Sequence, residues 1–97
     1  MRIISRKTLI SFYERYPDAK SSLESWYHEA KRAKWNEPVD VKAHYSSASI
    51  VGNSRVVFNI SGNKYRLVVK IVYATGVIYI RFIGTHKEYD KIDVEVV

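Results

Sequence analysis

Two side chains near the end of the chain, His86 and Tyr89, have the types and the spacing for proton transfer. Residues three apart share one face of a helical turn, so the two side chains are expected to lie together. Histidine is well suited to proton transfer near neutral pH, and tyrosine can orient a base, donate to a leaving oxygen or stack on a nucleobase. Two alternatives stay open: His86 is an ordinary surface histidine at a strand end, and Tyr89 is a packing residue.

Two arginines predicted to lie in neighbouring strands, Arg66 and Arg81, extend this pattern. Their guanidinium groups can stabilise the charge of a pentacoordinate phosphate. Together with the His/Tyr pair they favour acid–base chemistry on a phosphodiester. The other histidines are weaker candidates, because His28 falls on the polar side of a predicted helix and His44 lies near the end of another.

Several chemistries are excluded by what the chain lacks. It has no cysteine, which excludes disulfides, cysteine-ligated zinc and thiol nucleophiles together. No group of His, Asp and Glu has the spacing of metal ligands, and no glycine-rich phosphate loop or nucleophile elbow is present. We therefore expect no metal and no cofactor.

The composition indicates one basic globular domain over residues 1–97. This length fits a single domain, and a hydrophobic fraction of 46% excludes an intrinsically disordered chain. Sixteen Lys and Arg against ten Asp and Glu leave a formal charge of +6. Such a charge favours a polyanion or an acidic protein as partner; the alternative is a basic protein with no such partner.

The first residues differ from a signal peptide. Arg2, Arg6 and Lys7 place charges where a signal peptide has its apolar stretch. The longest uncharged apolar run, Ile71 to Ile80, is about half of the roughly 20 residues that a membrane helix needs. We expect a cytoplasmic protein without a membrane partner.

The first half of the chain has the apolar period of amphipathic helices. Spacings of three and four predict one helix over residues 9–16, which Pro17 ends because the residue before a proline is disfavoured in the α region. A second helix is expected directly after that proline, with an apolar stripe that continues to Ala33. A short third helix is predicted from Val39 to Tyr45.

The second half has the period of two that is typical of strands. Strands are predicted over residues 55–60, 64–73 and 77–83, joined by turns that contain Gly62 and Gly76. A short N-terminal edge strand is expected at residues 1–4. The order predicts a small α+β domain, in which this strand and the helices pack on one face of an antiparallel β-meander.

Alternation along the strands predicts which side chains share the face away from the helices. Ile78, Ile80 and Phe82 are expected to face the helices. The opposite face would hold five cations and no acid, and like charges across strands cost stability unless a ligand such as an RNA backbone neutralises them. The alternative is a solvated basic surface. The residues of this predicted basic face are Arg55, Asn59, Lys64, Arg66, Lys70, Tyr79 and Arg81.

Three segments together resemble the HigB toxins of bacterial type II toxin–antitoxin systems, which belong to the RelE-like superfamily. They are RVVFNI at 55–60, GNKYRL at 62–67 and RFIGTHKEYDK at 81–91. The resemblance runs over nearly the whole chain. It implies a RelE-like microbial ribonuclease fold that cleaves mRNA, usually while the mRNA lies in the ribosomal A site.

The resemblance also implies partners. These are a HigA-type helix-turn-helix antitoxin, mRNA, the 30S A site of the ribosome and, through the antitoxin alone, operator DNA. We expect metal-independent cleavage by attack of the ribose 2′-OH, which gives a 2′,3′-cyclic phosphate and a 5′-OH. Two alternatives are a non-catalytic nucleic-acid-binding module and a structural partner of an acidic protein.

Residue roles follow from the same match. The resemblance implies His86 as the base, Arg66 and Arg81 as transition-state stabilisers, and Tyr89 as a residue that orients the phosphate or stacks on a base. Position alone, and not the match, supports Asn59 and Lys64 as further RNA contacts. RNA contacts are also expected from Lys70, Arg55, Lys87 and Lys91.

Overall fold

The computed structural model describes all residues from Met1 to Val97. Its sequence of elements matches the predicted order of a strand, helices and a meander. A 3₁₀ turn at Pro17–Ala19 separates the first two helices. The elements are β1 (Arg2–Ile4), α1 (Arg6–Arg15), α2 (Lys20–Arg32), α3 (Pro38–His44), β2 (Ser49–Val51), β3 (Arg55–Ile60), β4 (Tyr65–Val72), β5 (Val77–Thr85) and α4 (His86–Tyr89).

One five-stranded sheet organises the molecule, in the order β1-β5-β4-β3-β2. From β2 to β5, each strand pairs antiparallel with the next one along the chain. Strand β1 pairs parallel with β5. The predicted α+β class, the meander and the N-terminal edge strand are therefore confirmed. The short edge strand β2 was not predicted, because three residues after a serine-rich stretch carry almost no alternation. No helix combines the length and the apolar character needed to span a membrane.

The main core lies between the helices and one face of the sheet. Leu9 and Leu23 from the helices and Phe58 and Leu67 from the sheet are at most 1% exposed. The ring of Trp26 packs edge-on against Phe58, with ring centroids 5.4 Å apart. This packing confirms that the apolar stripe of α2 is the face that meets the sheet.

A β-bulge in β5 reverses the alternation near its middle. Val69 pairs with Ile80 and Val68 pairs with Phe82, so Arg81 is left without a partner in β4. The prediction that Phe82 faces the helices is therefore wrong. One inserted residue moves every later side chain to the other face.

The face away from the helices is not open. Val57 and Val68 lie on this face and are only 3% and 0% exposed, although neither belongs to the main core. The C-terminal segment, which we define as residues 92–97, runs from the α4 end of the sheet to the β2–β3 turn. There Asn53 Nδ2 donates to Glu95 O at 2.8 Å. The predicted basic face is therefore covered at its centre rather than open.

Candidate active site

A capping box holds the short helix α4 at the end of β5. Thr85 Oγ1 accepts a hydrogen bond from the Glu88 N–H at 3.2 Å, and Glu88 Oε1 accepts one from the Thr85 N–H at 2.8 Å. These bonds lower the pKa of Glu88, with the backbone bond from Thr85 as the largest cause. The Thr-x-x-Glu pattern that indicates such a cap is visible in the sequence.

A carboxylate directly after α4 lies beside the histidine. His86 Nδ1 lies 3.3 Å from Asp90 Oδ2, and both side chains are more than half exposed. A carboxylate at Nδ1 leaves Nε2 as the nitrogen that faces outward and can accept a proton. Asp90 is not among the residues predicted above. Its spacing of four from His86 is the sequence feature that indicates it.

Arg66, in β4, lies next to Tyr89, the last residue of α4. The Arg66 Cζ atom is 6.0 Å from the centre of the Tyr89 ring. Arg66 Nη1 donates to the main-chain oxygens of Asn63 at 3.0 Å and Tyr65 at 3.3 Å. No carboxylate pairs with this guanidinium, because the ion pairs of the molecule are Arg6–Glu24, Lys64–Asp18 and His86–Asp90. We call His86, Tyr89, Asp90 and Arg66 the His86 site.

Gly84 allows two side chains to approach the backbone of β5 closely next to this site. It lies opposite Arg66 in the β4–β5 ladder. A Cβ atom at this position would lie 2.5 Å from Phe82 Cζ and 3.0 Å from Glu88 Oε1. The glycine therefore lets the Phe82 ring and the capping carboxylate pack against the strand.

Arg81 does not join the His86 site. Its Nε donates to the main-chain oxygen of Val97 at 3.1 Å. Arg81 also lies three residues before Gly84 in β5, so these two residues are about 10 Å apart along the strand. The prediction that both arginines flank the His/Tyr turn is therefore wrong for Arg81, because the bulge and the C-terminal segment direct it elsewhere.

Two predicted RNA contacts are also placed elsewhere. Arg55 is 5% exposed and lies beneath the C-terminal segment, with Nη2 donating to Val97 O at 2.7 Å. Lys64 forms an ion pair with Asp18, on the helix side of the sheet. Tyr65 donates to the other carboxylate oxygen at 2.6 Å. Arg55 is therefore covered, and the exposed Lys64 side chain pairs on the helix side instead of the predicted basic face.

The hydrogen bonds to the Asp18 carboxylate shift the pKa values of Asp18 and Tyr65 in opposite directions. Hydrogen bonds from Lys64 and Tyr65 lower the pKa of Asp18. The same bond to Asp18, with burial, raises the pKa of Tyr65 to about 12. Lys64 is therefore occupied by a structural contact between the 3₁₀ turn and β4.

The remaining predicted contacts stay accessible. Asn59 and Lys70 are half-buried on the face away from the helices, and Lys87 and Lys91 are exposed on and after α4. None of these lysines has a carboxylate partner. No cluster of three or more His, Asp or Glu side chains is arranged to hold a metal ion.

Comparison with known proteins agrees with this architecture. The HigB_toxin family, described as the RelE-like toxic component of a toxin–antitoxin system, matches residues 19–92. The mRNA interferase toxin HigB of Escherichia coli K12 is 32% identical over 92 residues, which are 93% of this chain and 88% of the relative. The mRNA interferase HigB of Shigella flexneri matches to the same extent. The mRNA interferase HigB of Escherichia coli O6:H1 is 24% identical over 94 residues, or 95% and 91% of the two chains. The chain therefore belongs to the HigB family of RelE-like toxins, as its resemblance predicted.

Proposed function

We propose that this toxin is an endoribonuclease that cleaves mRNA at the His86 site. The observation that carries the proposal is the His86–Asp90 pair next to Tyr89 and to an arginine without a carboxylate partner. The relatives named as mRNA interferases support the same substrate class.

The chemistry requires one base and one stabilised phosphorane. His86 Nε2 takes the proton of a ribose 2′-OH while Asp90 stabilises the imidazolium that forms. The 2′-oxygen then attacks the adjacent phosphorus, and the 5′-oxygen leaves and takes a proton from solvent. Arg66 stabilises the negative charge of the transition state, and the products are a 2′,3′-cyclic phosphate and a 5′-OH.

The shape of the site suits a polymer. The side chains of His86 and Asp90 are both more than half exposed, so the site is open. A half-buried tyrosine beside a guanidinium provides a ring on which an unpaired base can stack. Lys87 and Lys91 supply further cations for the RNA backbone.

The proposed partners are the ribosome and an antitoxin. An open site holds a flexible strand poorly by itself, which supports cleavage of mRNA that the ribosome holds in its A site. A HigA-type helix-turn-helix antitoxin neutralises the toxin and carries the pair to operator DNA. Translation takes place in the cytoplasm, and we place the toxin there.

Induced expression in a bacterial host tests this function. Growth and mapped 5′ ends of total RNA are compared for the parent, His86→Ala and Arg66→Ala, with His28→Ala as a control at an exposed histidine outside the site. The parent and the control are expected to arrest growth and to give new cuts inside translated frames. Both site variants are expected to lose the cuts, since acid–base catalysis contributes about 10²- to 10⁴-fold.

Two results would contradict the proposal. Cleavage by His86→Ala at the parental level would remove this residue from the mechanism. Intact RNA with binding that weakens as salt rises would instead favour a nucleic-acid-binding module. Purified toxin assayed with and without ribosomes decides whether the ribosome is obligatory.

A further inference from the structure

One stretch of β5 has a free edge, because β1 ends before it. Strand β1 pairs with β5 from Val77 to Tyr79, and no other strand lies on that side of β5. The N–H of Thr85 points to this free side, since it donates to Glu88 Oε1 and not to β4. Main-chain groups alternate in direction along a strand, so those of Ile83 point the same way. No turn or loop hydrogen bond reaches them. Ile83 therefore offers one N–H and one C=O for which the sheet supplies no partner.

A groove lies between this free edge and helix α1. Its volume is about 240 Å³, and it is lined by Thr8, Ser11, Phe12 and Arg15 of α1 and by Ile83 of β5. Phe12 is buried and Ile83 is half-buried against the core, so these two side chains form an apolar floor. Thr8, Ser11 and Arg15 are exposed. An apolar pocket beside unpaired main-chain groups is the surface that an extended peptide uses when it adds to a sheet edge.

The charge of the groove favours an acidic occupant. Arg15 is its one charged lining residue, and no acid lines it. Arg15 takes part in none of the three ion pairs. The carboxylate of Glu88, at the α4 end of the edge, is already held by the Thr85 N–H. With a formal charge of +6 on the whole chain, a negatively charged segment is attracted to this edge.

The groove suits a peptide better than an RNA strand. RNA gains much of its affinity from contacts between its phosphates and several cations, and the groove supplies a single guanidinium. An extended peptide gains affinity from main-chain hydrogen bonds and specificity from pockets for alternate side chains. The free edge at Ile83 and the apolar floor supply both.

We propose that the free edge of β5 at Ile83 is the docking site for an extended acidic segment of the antitoxin, which adds to the sheet as a strand. The proposal rests on the proposed function for the identity of this partner, as the family consists of toxic components of toxin–antitoxin systems. Ile83 lies two residues, or about 7 Å, before Thr85 at the start of α4. A segment bound there brings the antitoxin next to the His86 site.

The position of the segment predicts its sequence pattern. The residue that pairs with Ile83 has its side chain on the same face of the sheet as Ile83, and therefore in the groove beside Phe12. We expect this residue to be apolar. A residue two positions away lies on the same face, and we expect an acid there to meet Arg15.

Amide hydrogen exchange tests the pairing directly. The probe is the full-length antitoxin encoded next to the toxin, added to ¹⁵N-labelled toxin that carries His86→Ala so that the producing cells survive. The Ile83 amide is expected to exchange fast in the free toxin and at least about tenfold more slowly in the complex. Gly84 is the control in the same strand, because its main-chain groups face Arg66 in β4 and should be protected in both states.

Two substitutions test the groove, with binding to the same antitoxin measured by calorimetry. Ser11→Tyr fills the groove with a ring and is expected to weaken binding at least about tenfold. Ser25→Tyr, at an exposed serine of α2 outside the groove, is the matched control and should bind like the parent.

Arg15→Gln tests the charge of the groove. This variant is expected to bind the antitoxin several-fold more weakly than the parent, and the difference should shrink as salt rises, because salt screens an exposed charge. Arg32→Gln, at an exposed arginine near the end of α2, should show no such change.

Several results would overturn this inference. They are an absence of binding to the antitoxin, an Ile83 amide that exchanges equally fast in the complex, and equal antitoxin affinities for the Ser11 and Ser25 variants. A loss of RNA binding by Ser11→Tyr with antitoxin binding intact would assign the groove to RNA instead.

Failure of this inference is distinguishable from failure of the proposed function. With His86 intact, Ser11→Tyr is expected to cleave mRNA like the parent and to arrest growth even when the antitoxin is co-produced. If the parent cleaves and the antitoxin still neutralises Ser11→Tyr, the docking site is wrong and the proposed function stands. If the parent does not cleave, the proposed function is overturned whatever the binding data show.

Discussion

At the scale of single residues, the contact between His86 and Asp90 decides how the site can work. A distance of 3.3 Å between Nδ1 and Oδ2 is long for a hydrogen bond, and both side chains are more than half exposed. The carboxylate fixes the ring nitrogen that faces substrate and stabilises the imidazolium after proton transfer. Asp90 therefore acts through His86, as a positioning residue.

Replacing Asp90 tests this role through the kinetics. An exposed contact between charged side chains contributes about 0.2–1 kcal/mol, so Asp90→Asn is expected to lower kcat by up to about fivefold and to leave KM unchanged. In combination with His86→Ala it should cost nothing further, because the two residues act as one unit. Additive losses in the double variant, measured by single-turnover cleavage, would show an independent role for Asp90.

At the scale of elements, the capping box is what makes four residues at the end of β5 helical. The chain from His86 to Tyr89 is far too short to form a stable helix alone. The reciprocal bonds between Thr85 and Glu88 satisfy the free backbone donors of its first turn. The cap therefore positions both His86 and Asp90.

Removing the cap is expected to reduce cleavage without touching a reacting group. Thr85→Ala should destabilise α4 by about 1 kcal/mol, which is about a fivefold fall in the equilibrium constant for forming the ordered turn. Thr85→Ser keeps the oxygen and should cleave at nearly the parental rate. Equal rates for the alanine and serine variants, with parental thermal stability, would show that the cap does not matter.

A second element-level contact, from Asp18 to Lys64 and Tyr65, joins the 3₁₀ turn to β4 and predicts a pH dependence. The pKa of Asp18 is lowered in the folded protein, so its contribution is present above the ordinary pKa near 3.8 and is lost as the pH falls through the folded value. Asp18→Asn should thus melt at a lower temperature than the parent at neutral pH, and the gap should close on acidification. Glu14→Gln, at an exposed glutamate, should show no such change. A gap that persists at the lowest pH would contradict this assignment.

At the scale of the whole molecule, one core joins the helices to the sheet, and we predict that residues 1–97 unfold as one unit. Leu67 is fully buried in β4, which has strand neighbours on both sides. Leu67→Ala should lower the free energy of unfolding by about 2–5 kcal/mol. Val39→Ala, at a side chain that is 60% exposed, should change it little. Urea unfolding followed by far-UV circular dichroism and by tryptophan fluorescence checks both values. Transitions that differ between the two probes would argue against a single domain.

What the sequence determined by itself is local. The apolar periods of three to four and of two predicted the helices, the meander and their packing, because those periods report which face of each element is buried. The three-residue spacing of His86 and Tyr89 placed both on one turn, and the resemblance predicted the family. Thr85, Glu88 and Asp90 were equally readable from their spacing, although they were not predicted.

The tertiary structure decided the contacts that join distant parts of the chain. The bulge at Arg81 depends on how β5 pairs with β4, and no residue type marks it in advance. The burial of Arg55 depends on where residues 92–97 lie, and the pairing of Lys64 depends on Asp18, 46 positions earlier. These contacts engage the side chains of Arg81, Arg55 and Lys64 away from the His86 site, because side-chain direction at a turn, a bulge or a strand end follows from long-range packing rather than from local periodicity.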